Sequence, residues 1–216
     1  MNTDDQVTKD RIHKAAEEEF LEKGFQNASL RNIAKLAGVT TGSFYWHYKN
    51  KEDLFDSIVG EHYLHLLSMH DAVASDFAKL NPSEQMLHMD EGGRKCFAEM
   101  LEYMYEHKRV FLILINGSAG TKYENMLHEL TEREIASTEK FMNSIQTEEK
   151  QYEKIPVKLL HIIISGRFAG LFELIIHDIP IESARKYVIQ LYDFYTAGFV
   201  YTMGIRLPDS MSMKGI

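Results

Sequence analysis

The 216-residue chain has one cysteine, four prolines and one tryptophan. Cys96 has no second cysteine for an internal disulfide, and a lone thiol suits a reducing cytosol. So few prolines, and almost no runs alternating apolar and polar residues, leave little for strands and point to an all-helical protein. The opening stretch, MNTDDQVTKDRIHK, lacks the apolar segment of a secretory signal and is not expected to be one. Residues 159–176 and 188–205 are apolar enough to raise the question of a membrane. The first carries His161, Arg167 and Glu173, and the second is interrupted by Gln190, Asp193, Thr196 and Thr202 with no flanking basic cluster. Buried helices are the expectation there, with no membrane partner. Apolar residues make up 44% of the chain, enough for a core and against disorder.

Acid is the other absence, and it is local. The formal net charge is −8, yet from Lys23 to Lys51 there are five basic residues (Lys23, Arg31, Lys35, Lys49, Lys51) and no Asp or Glu. Screening confines exposed charges to about 8–10 Å, so this local excess matters more to a binding face than the total does. Charge alone also fits a solvated loop that lacks acids.

Residues 5–23 read as an amphipathic helix, with Ile12, Ala15, Ala16, Phe20 and Leu21 inward and Glu17, Glu18, Glu19 and Glu22 outward. Gly24 is a plausible stop. Ser29 can cap a short helix, LRNIAKLA, whose apolar face is Leu30, Ile33, Ala34 and Ala37. Gly38 then supplies the turn, Val39 a buried turn residue, and Thr40 or Thr41 the cap of a third helix through His47. This is a helix-turn-helix pattern. Phe44 and Tyr48 lock the third helix inward, which turns Thr41, Gly42, Ser43, Tyr45 and Trp46 outward.

A fourth helix is expected from an Asn50 cap to about residue 78, followed by helices near 83–106, 108–117, 122–147, 156–177 and 181–205. Gly92 and Gly93 mark a kink or break, and IQTEEKQYEK before Pro156 reads as a charged loop.

Outward hydroxyls, aromatics and basic residues suit a helix lying in a DNA major groove. Thr41 and Ser43 offer base-edge contacts, Gly42 close backbone approach, and Tyr45, His47 and Lys51 phosphate contacts. The capping residues Ser29 and Thr40 are counted on the same DNA-binding face.

The stretch SLRNIAKLAGVTTGSFYWHYKNKEDL, residues 29–54, resembles the DNA-binding signature of the tetracycline-repressor (TetR) family, most closely in YWHYKNK. The resemblance covers roughly the first 55 residues; beyond them it extends only to length and helical character. It implies Thr41, Gly42, Ser43 and Trp46 nearest the bases. It also implies Arg31, Tyr45, His47 and Lys51 mainly at the DNA backbone, with Arg31 reaching a base in some members. Thr41 and Gly42 stand where the founding repressor has bulkier residues, so its operator does not transfer.

The expected architecture is all-α. A three-helix helix-turn-helix domain (1–50) is joined by a connecting helix to a ligand-binding and dimerisation domain (51–216). Helices near 156–177 and 181–205 are apolar nearly all round; Ile162, Ile163 and Ile164 cannot all face one core. Gly166, Ala169, Gly170 and the pair Ala197–Gly198 permit close approach. The resemblance implies that these two helices pair with a second copy in a four-helix bundle; burial wholly within the chain is the alternative. Met86, Met89, Phe97, Met100, Tyr103, Met104, Phe111, Tyr123 and Met126 are candidates for an adaptable pocket, though such residues also make ordinary core. Ligand contacts are expected among Met100, Tyr103, Met104, Phe111, Tyr123, Met126, Phe168 and Phe172.

No nucleophile motif, phosphate loop or zinc pattern is present, so no catalysis, cofactor or metal is expected. His62 and His65 share a helix face without the further ligands of a recognised metal motif. The functional expectation is a cytoplasmic, ligand-responsive transcriptional regulator, in the commoner family mode a repressor. It binds a palindromic operator in double-stranded DNA as a homodimer and is released by a small-molecule effector. The alternative is a ligand-independent DNA-binding protein, or a helical interaction module that retains a DNA-binding-like head.

Overall fold

Residues 3–148 and 151–205 are described by a computed structural model, and every regular element among them is an α-helix. In chain order these are α1 (Thr3–Asn27), α2 (Leu30–Ala37), α3 (Thr41–His47), α4 (Lys51–Lys79), α5 (Pro82–Leu87), α6 (Glu91–Glu106), α7 (Lys108–Gly117), α8 (Met126–Ser144), α9 (Val157–Ile176) and α10 (Ile181–Thr202). The chain divides into two compact units. One is Met1–Leu67 with Met104–Met126; the other is Ser68–Tyr103 with Leu127–Ile216. Residues 149 and 150 of the charged loop expected before Pro156 lie outside the described residues.

In the first unit α1 packs on α2 and α7. Its core is built from Ile12, Ala16, Phe20, Ile33, Phe44, Phe55 and Phe111, all 3% exposed or less. The Phe55 ring meets Phe20 and Phe25 edge-on, with centroids 5.0 and 5.2 Å away. At Gly24 the backbone leaves helical geometry (φ 67°, ψ 169°), and one further turn runs to Asn27. One expectation is corrected here: Glu19, placed outside on helical spacing, is buried beneath the start of α2.

Local signals set the helix ends. Ser29 Oγ accepts the Asn32 N–H, and Thr40 Oγ1 accepts the Ser43 N–H at 3.1 Å. Gly38 closes α2 in the left-handed region (φ 64°), where a side chain would be strained. Asn50 Oδ1 accepts the Asp53 N–H at 2.7 Å at the start of α4. Asn81 and Glu84 form a full capping box on α5. The break expected near Gly92–Gly93 falls earlier, at residues 88–90, and both glycines lie inside α6.

In the second unit α9 and α10 pack together. The Phe97 and Phe168 rings stack at 5.3 Å, and Leu160, Leu171, Ile175, Ala184 and Val188 are fully buried. A Cβ on Gly166 would sit 2.8 Å from Tyr195 Oη, and one on Gly170 2.8 Å from Leu191 Cδ2. These glycines therefore serve the α9–α10 contact within one chain. The three consecutive isoleucines divide as their spacing requires: Ile162 is 67% exposed, Ile163 half-buried and Ile164 buried. Among the described residues one helix, α9, is long and apolar enough to cross a membrane. It carries Arg167, whose guanidinium is paired with Glu134 of α8.

Candidate functional site

Seven residues of α3 separate an inner from an outer face. Phe44 is 1% exposed, while Trp46 is 82% and Tyr45 54% exposed. Tyr48, just after the helix, is buried and bonded through its hydroxyl to His13 Nε2 at 2.6 Å. Phe44 and Tyr48 therefore hold the helix by one side. An exposed tryptophan at this level has no folding rationale, because burial of its ring would have been favourable by about 2 kcal/mol or more.

The turn before α3 is held from behind. Arg11 Nη2 donates to the Gly38 carbonyl at 2.9 Å, and the Val39 N–H returns to Ala34 O at 3.0 Å. Thr41 and Gly42 are exposed in the first turn of α3, and Ser43 is half-exposed beside them. Arg31, Lys35 and Lys49 are exposed on the same acid-free stretch. Ser29 and Thr40 spend their oxygens as caps, leaving each hydroxyl proton free to donate.

Two residues sit differently from the expectation drawn from sequence. Lys51 is turned back: Nζ donates to Gln26 O and Ala28 O at 3.0 and 3.1 Å and lies 4.6 Å over the Phe25 ring. It closes the carbonyls at the end of α1. The His47 side chain is only 5% exposed, with Nδ1 3.5 Å from Asp5 Oδ1. Trp46, Tyr45, Thr41, Gly42, Ser43, Thr40, Ser29 and Arg31 remain accessible; Lys35 and Lys49, part of the basic stretch but not among the expected DNA contacts, are exposed beside them.

Residues 12–58 match the family model of bacterial regulatory proteins, tetR family. The head is thus similar to the DNA-binding domain of TetR-family regulators. The HTH-type transcriptional repressor BepR of Brucella suis is 47% identical over 53 residues, 24% of this chain and 25% of BepR. The regulator TtgR of Pseudomonas putida is 41% identical over 71 residues, 33% of each chain. These matches thus span only a quarter to a third of those relatives. The probable regulator YttP of Bacillus subtilis is 28% identical over 163 residues, 73% of this chain and 72% of YttP. Among solved structures, a TetR-like transcriptional regulator from Rhodococcus sp. RHA1 superposes with a TM-score of 0.58 at 17% identity, covering 88% of this chain and 96% of that one. NalD, the secondary repressor of the MexAB-OprM multidrug efflux pump in Pseudomonas aeruginosa, does so at 0.55 and 20%, covering 88% and 96%. At these identities the superpositions show the fold.

The second unit contains a cavity of about 130 Å³. Phe77, Met89, Phe97, Met100, Phe141 and Ile164 supply its apolar wall, and His70, Glu134 and Arg167 a polar one. Glu134 accepts from His70 Nε2 at 2.9 Å and from Arg167 Nη2. Burial alone would raise the Glu134 carboxyl, but Arg167 and His70 hold it down at about 2. Burial alone would lower the His70 imidazole, but Glu134 and Asp71 raise it above its ordinary value. Burial pushes the Cys96 thiol up to about 12, so it is a neutral packing group on the wall.

Of the eight residues expected at a ligand, Met100 lines this cavity. Met104, Phe111, Tyr123 and Met126 are buried in the first unit, where the Tyr123 hydroxyl donates to Asp56. Phe168 and Phe172 are buried on α9, off the cavity wall, and Tyr103 is half-buried at the end of the second unit's share of α6. Met89 and Phe97, candidates for the pocket at large, do line it. Sequence reasoning missed the polar wall. The signal available was Arg167, a charge inside an otherwise apolar helix, which needs a buried partner.

His62 lies beside His107, with ring centroids 4.4 Å apart. His128, Glu132 and His161 bring ligand-type atoms within 4.8 Å of one another. Glu132 Oε1 lies 3.2 Å from His161 Nδ1 and 3.9 Å from His128 Nδ1, contacts that bring the three groups together.

Proposed function

We propose that the protein is a cytoplasmic transcriptional repressor that binds a palindromic operator as a homodimer and is released by a small molecule. The observation that carries the reading is the outward face of α3: an 82% exposed Trp46 beside Tyr45, Thr41 and Ser43, in a head with exposed Arg31, Lys35 and Lys49 and no acid between residues 23 and 51. α3 enters the major groove; Thr41, Gly42, Ser43 and Trp46 face bases, while Arg31, Tyr45 and the lysines face phosphates. The repressor names of BepR and NalD favour repression.

Pairing between copies is supported by apolar surface left on α9 and α10. Tyr187, Phe194 and Tyr201 recur at seven-residue spacing along α10 and are 48%, 72% and 86% exposed; Leu159 and Ile162 of α9 are 39% and 67% exposed. Exposed apolar side chains repeated along one helix are what an interface between copies would cover. Two-fold pairing requires recognition helices about 34–36 Å apart, one helical turn of DNA. Release requires the ligand to favour the DNA-incompetent state by about 1–3 kcal/mol or more, carried through α4, whose residues belong to both units.

The test is enrichment of duplexes from a random library by the purified protein at near-physiological salt, beside Tyr45→Ala. A recovered palindrome that the variant fails to retain supports the reading. Sequence-independent enrichment by both proteins overturns it in favour of a non-specific DNA-binding or interaction module.

A further inference from the structure

Outside the cavity, the second unit brings together side chains of two helices that sequence spacing keeps apart. His128 and Glu132 stand one turn apart on α8, and His161 reaches them from α9, 29 residues beyond Glu132. The two imidazole rings have centroids 5.7 Å apart. A tetrahedral zinc ion, with bonds of about 2.0–2.2 Å, sets its ligand atoms about 3.3–3.6 Å from one another. The 3.2 Å between Glu132 Oε1 and His161 Nδ1 already has nearly that spacing, and the 3.9 Å to His128 Nδ1 exceeds it slightly. One ligand atom from each residue lies within 4.8 Å of the other two, and small side-chain rotations close the remainder.

The charges around the group favour a cation. Among the described residues Glu132 pairs with no lysine or arginine; Arg133 beside it is held by Asp71 and Glu129. The side chains of His128, Glu132 and His161 are 61%, 52% and 42% exposed. An ion therefore reaches them from solvent, and water is at hand for a fourth position. Ion pairs this exposed hold side chains together only weakly, so they do not compete strongly with a metal. The donor set selects the ion. Two imidazoles and one carboxylate suit zinc and its late first-row neighbours, whereas calcium and magnesium take oxygen ligands.

We propose that His128, Glu132 and His161 bind a divalent transition metal of the zinc class, with water completing the coordination, and that the ion ties α8 to α9. The same two helices are already joined by Glu134 and Arg167, and both line the cavity. A bound ion thus adds a second tie beside that pair and fixes the separation of two cavity walls. The site lies apart from the outward face of α3, and neither reading depends on the other.

The test is calorimetric titration of the full-length, tag-free protein with zinc chloride after treatment with a chelator, with magnesium chloride beside it. One zinc per chain is expected at the tightest site, with magnesium at least tenfold weaker. His128→Ala, Glu132→Ala and His161→Ala, each at an exposed side chain, should weaken zinc at least tenfold, with helicity as the fold control. His177→Ala removes half of another exposed pair, Glu173–His177, which has no third ligand, and should leave zinc affinity unchanged. Zinc should also raise the melting midpoint of the wild type and not that of His161→Ala, because the ion binds the folded arrangement. Absence of zinc binding, binding that survives His161→Ala, or an equal loss in His177→Ala overturns the inference. Magnesium binding as tightly as zinc overturns the assignment of the ion. Zinc binding that all three variants lose, without any rise in the wild-type midpoint, keeps the site and overturns the tie between helices.

Discussion

The carboxylate of Glu19, 1% exposed, accepts the backbone N–H of Ser29 at 3.0 Å, ten residues further along the chain. The same carboxylate takes two bonds of 3.0 Å from Lys23 Nζ and one from Asn32 Nδ2. One buried anion thus satisfies the amide at the start of α2 and sets where the helix-turn-helix begins.

Replacing Glu19 by alanine should destabilise the protein by about 1–3 kcal/mol, because buried donors lose their acceptor. The effect has a pH signature. Burial alone would raise the Glu19 carboxyl, but Ser29, Lys23 and Asn32 outweigh it and hold it below the ordinary glutamate range. A folded pKa below the unfolded one means that the stabilisation is complete above about pH 4.3 and is lost as pH falls through the folded value. Urea denaturation from pH 7 to pH 3 should show a steeper loss in the wild type than in Glu19→Ala.

Lys49→Ala and Arg31→Ala should each lower the salt slope of DNA binding by about one unit. Lys51→Ala should behave otherwise, since its ammonium is spent on Gln26 O and Ala28 O. It should lower stability by about 1 kcal/mol, with a smaller change in slope. Fluorescence anisotropy across 50–200 mM salt, with melting curves, separates the two behaviours. Equal slope changes for Lys49→Ala and Lys51→Ala would mean that the lysine leaves its carbonyls when DNA arrives.

Gly93→Ala tests the packing behind the cavity. A Cβ at this position would lie 2.0 Å from the Tyr192 hydroxyl, which cannot coexist with the present ring position. A loss of about 1–3 kcal/mol is expected, the ordinary cost of overpacking. Chemical denaturation checks it, and Gly93→Ala with Tyr192→Phe should recover part of the loss.

Phe194→Glu with Tyr201→Glu places charge on the exposed apolar stripe of α10, at side chains 72% and 86% exposed. Sedimentation should show a dimer in the wild type and a monomer in the variant, with operator affinity falling at least tenfold. A variant that sediments like the wild type would locate the interface elsewhere.

Tyr123→Phe separates core from ligand site. The Tyr123 hydroxyl donates to Asp56, which Lys122 also holds at 2.6 Å. A loss of about 1 kcal/mol in stability with unchanged ligand affinity is expected, and calorimetry beside melting reads both.

How far the chain could be read by itself depended on distance along it. Ser29, Gly38, Thr40 and Asn50 act on groups within a few residues, so the head's helices and its outward aromatics were legible directly from spacing. Glu19 was not, because it sits among Glu17, Glu18 and Glu22, and its burial comes from α2 folding over it. The polar wall of the cavity was still less accessible. His70 and Glu134 are 64 residues apart and Arg167 lies 33 beyond Glu134, on helices whose rotation is set by packing. Periodicity says which residues share a helix face; it does not say which neighbour that face will meet. The sequence alone therefore determined an all-helical chain with a DNA-reading head. Only the tertiary structure decided that Tyr123, Phe111, Met104 and Met126 are core and that Arg167 and His70 meet on Glu134, because burial and charge pairing are properties of the assembled helices.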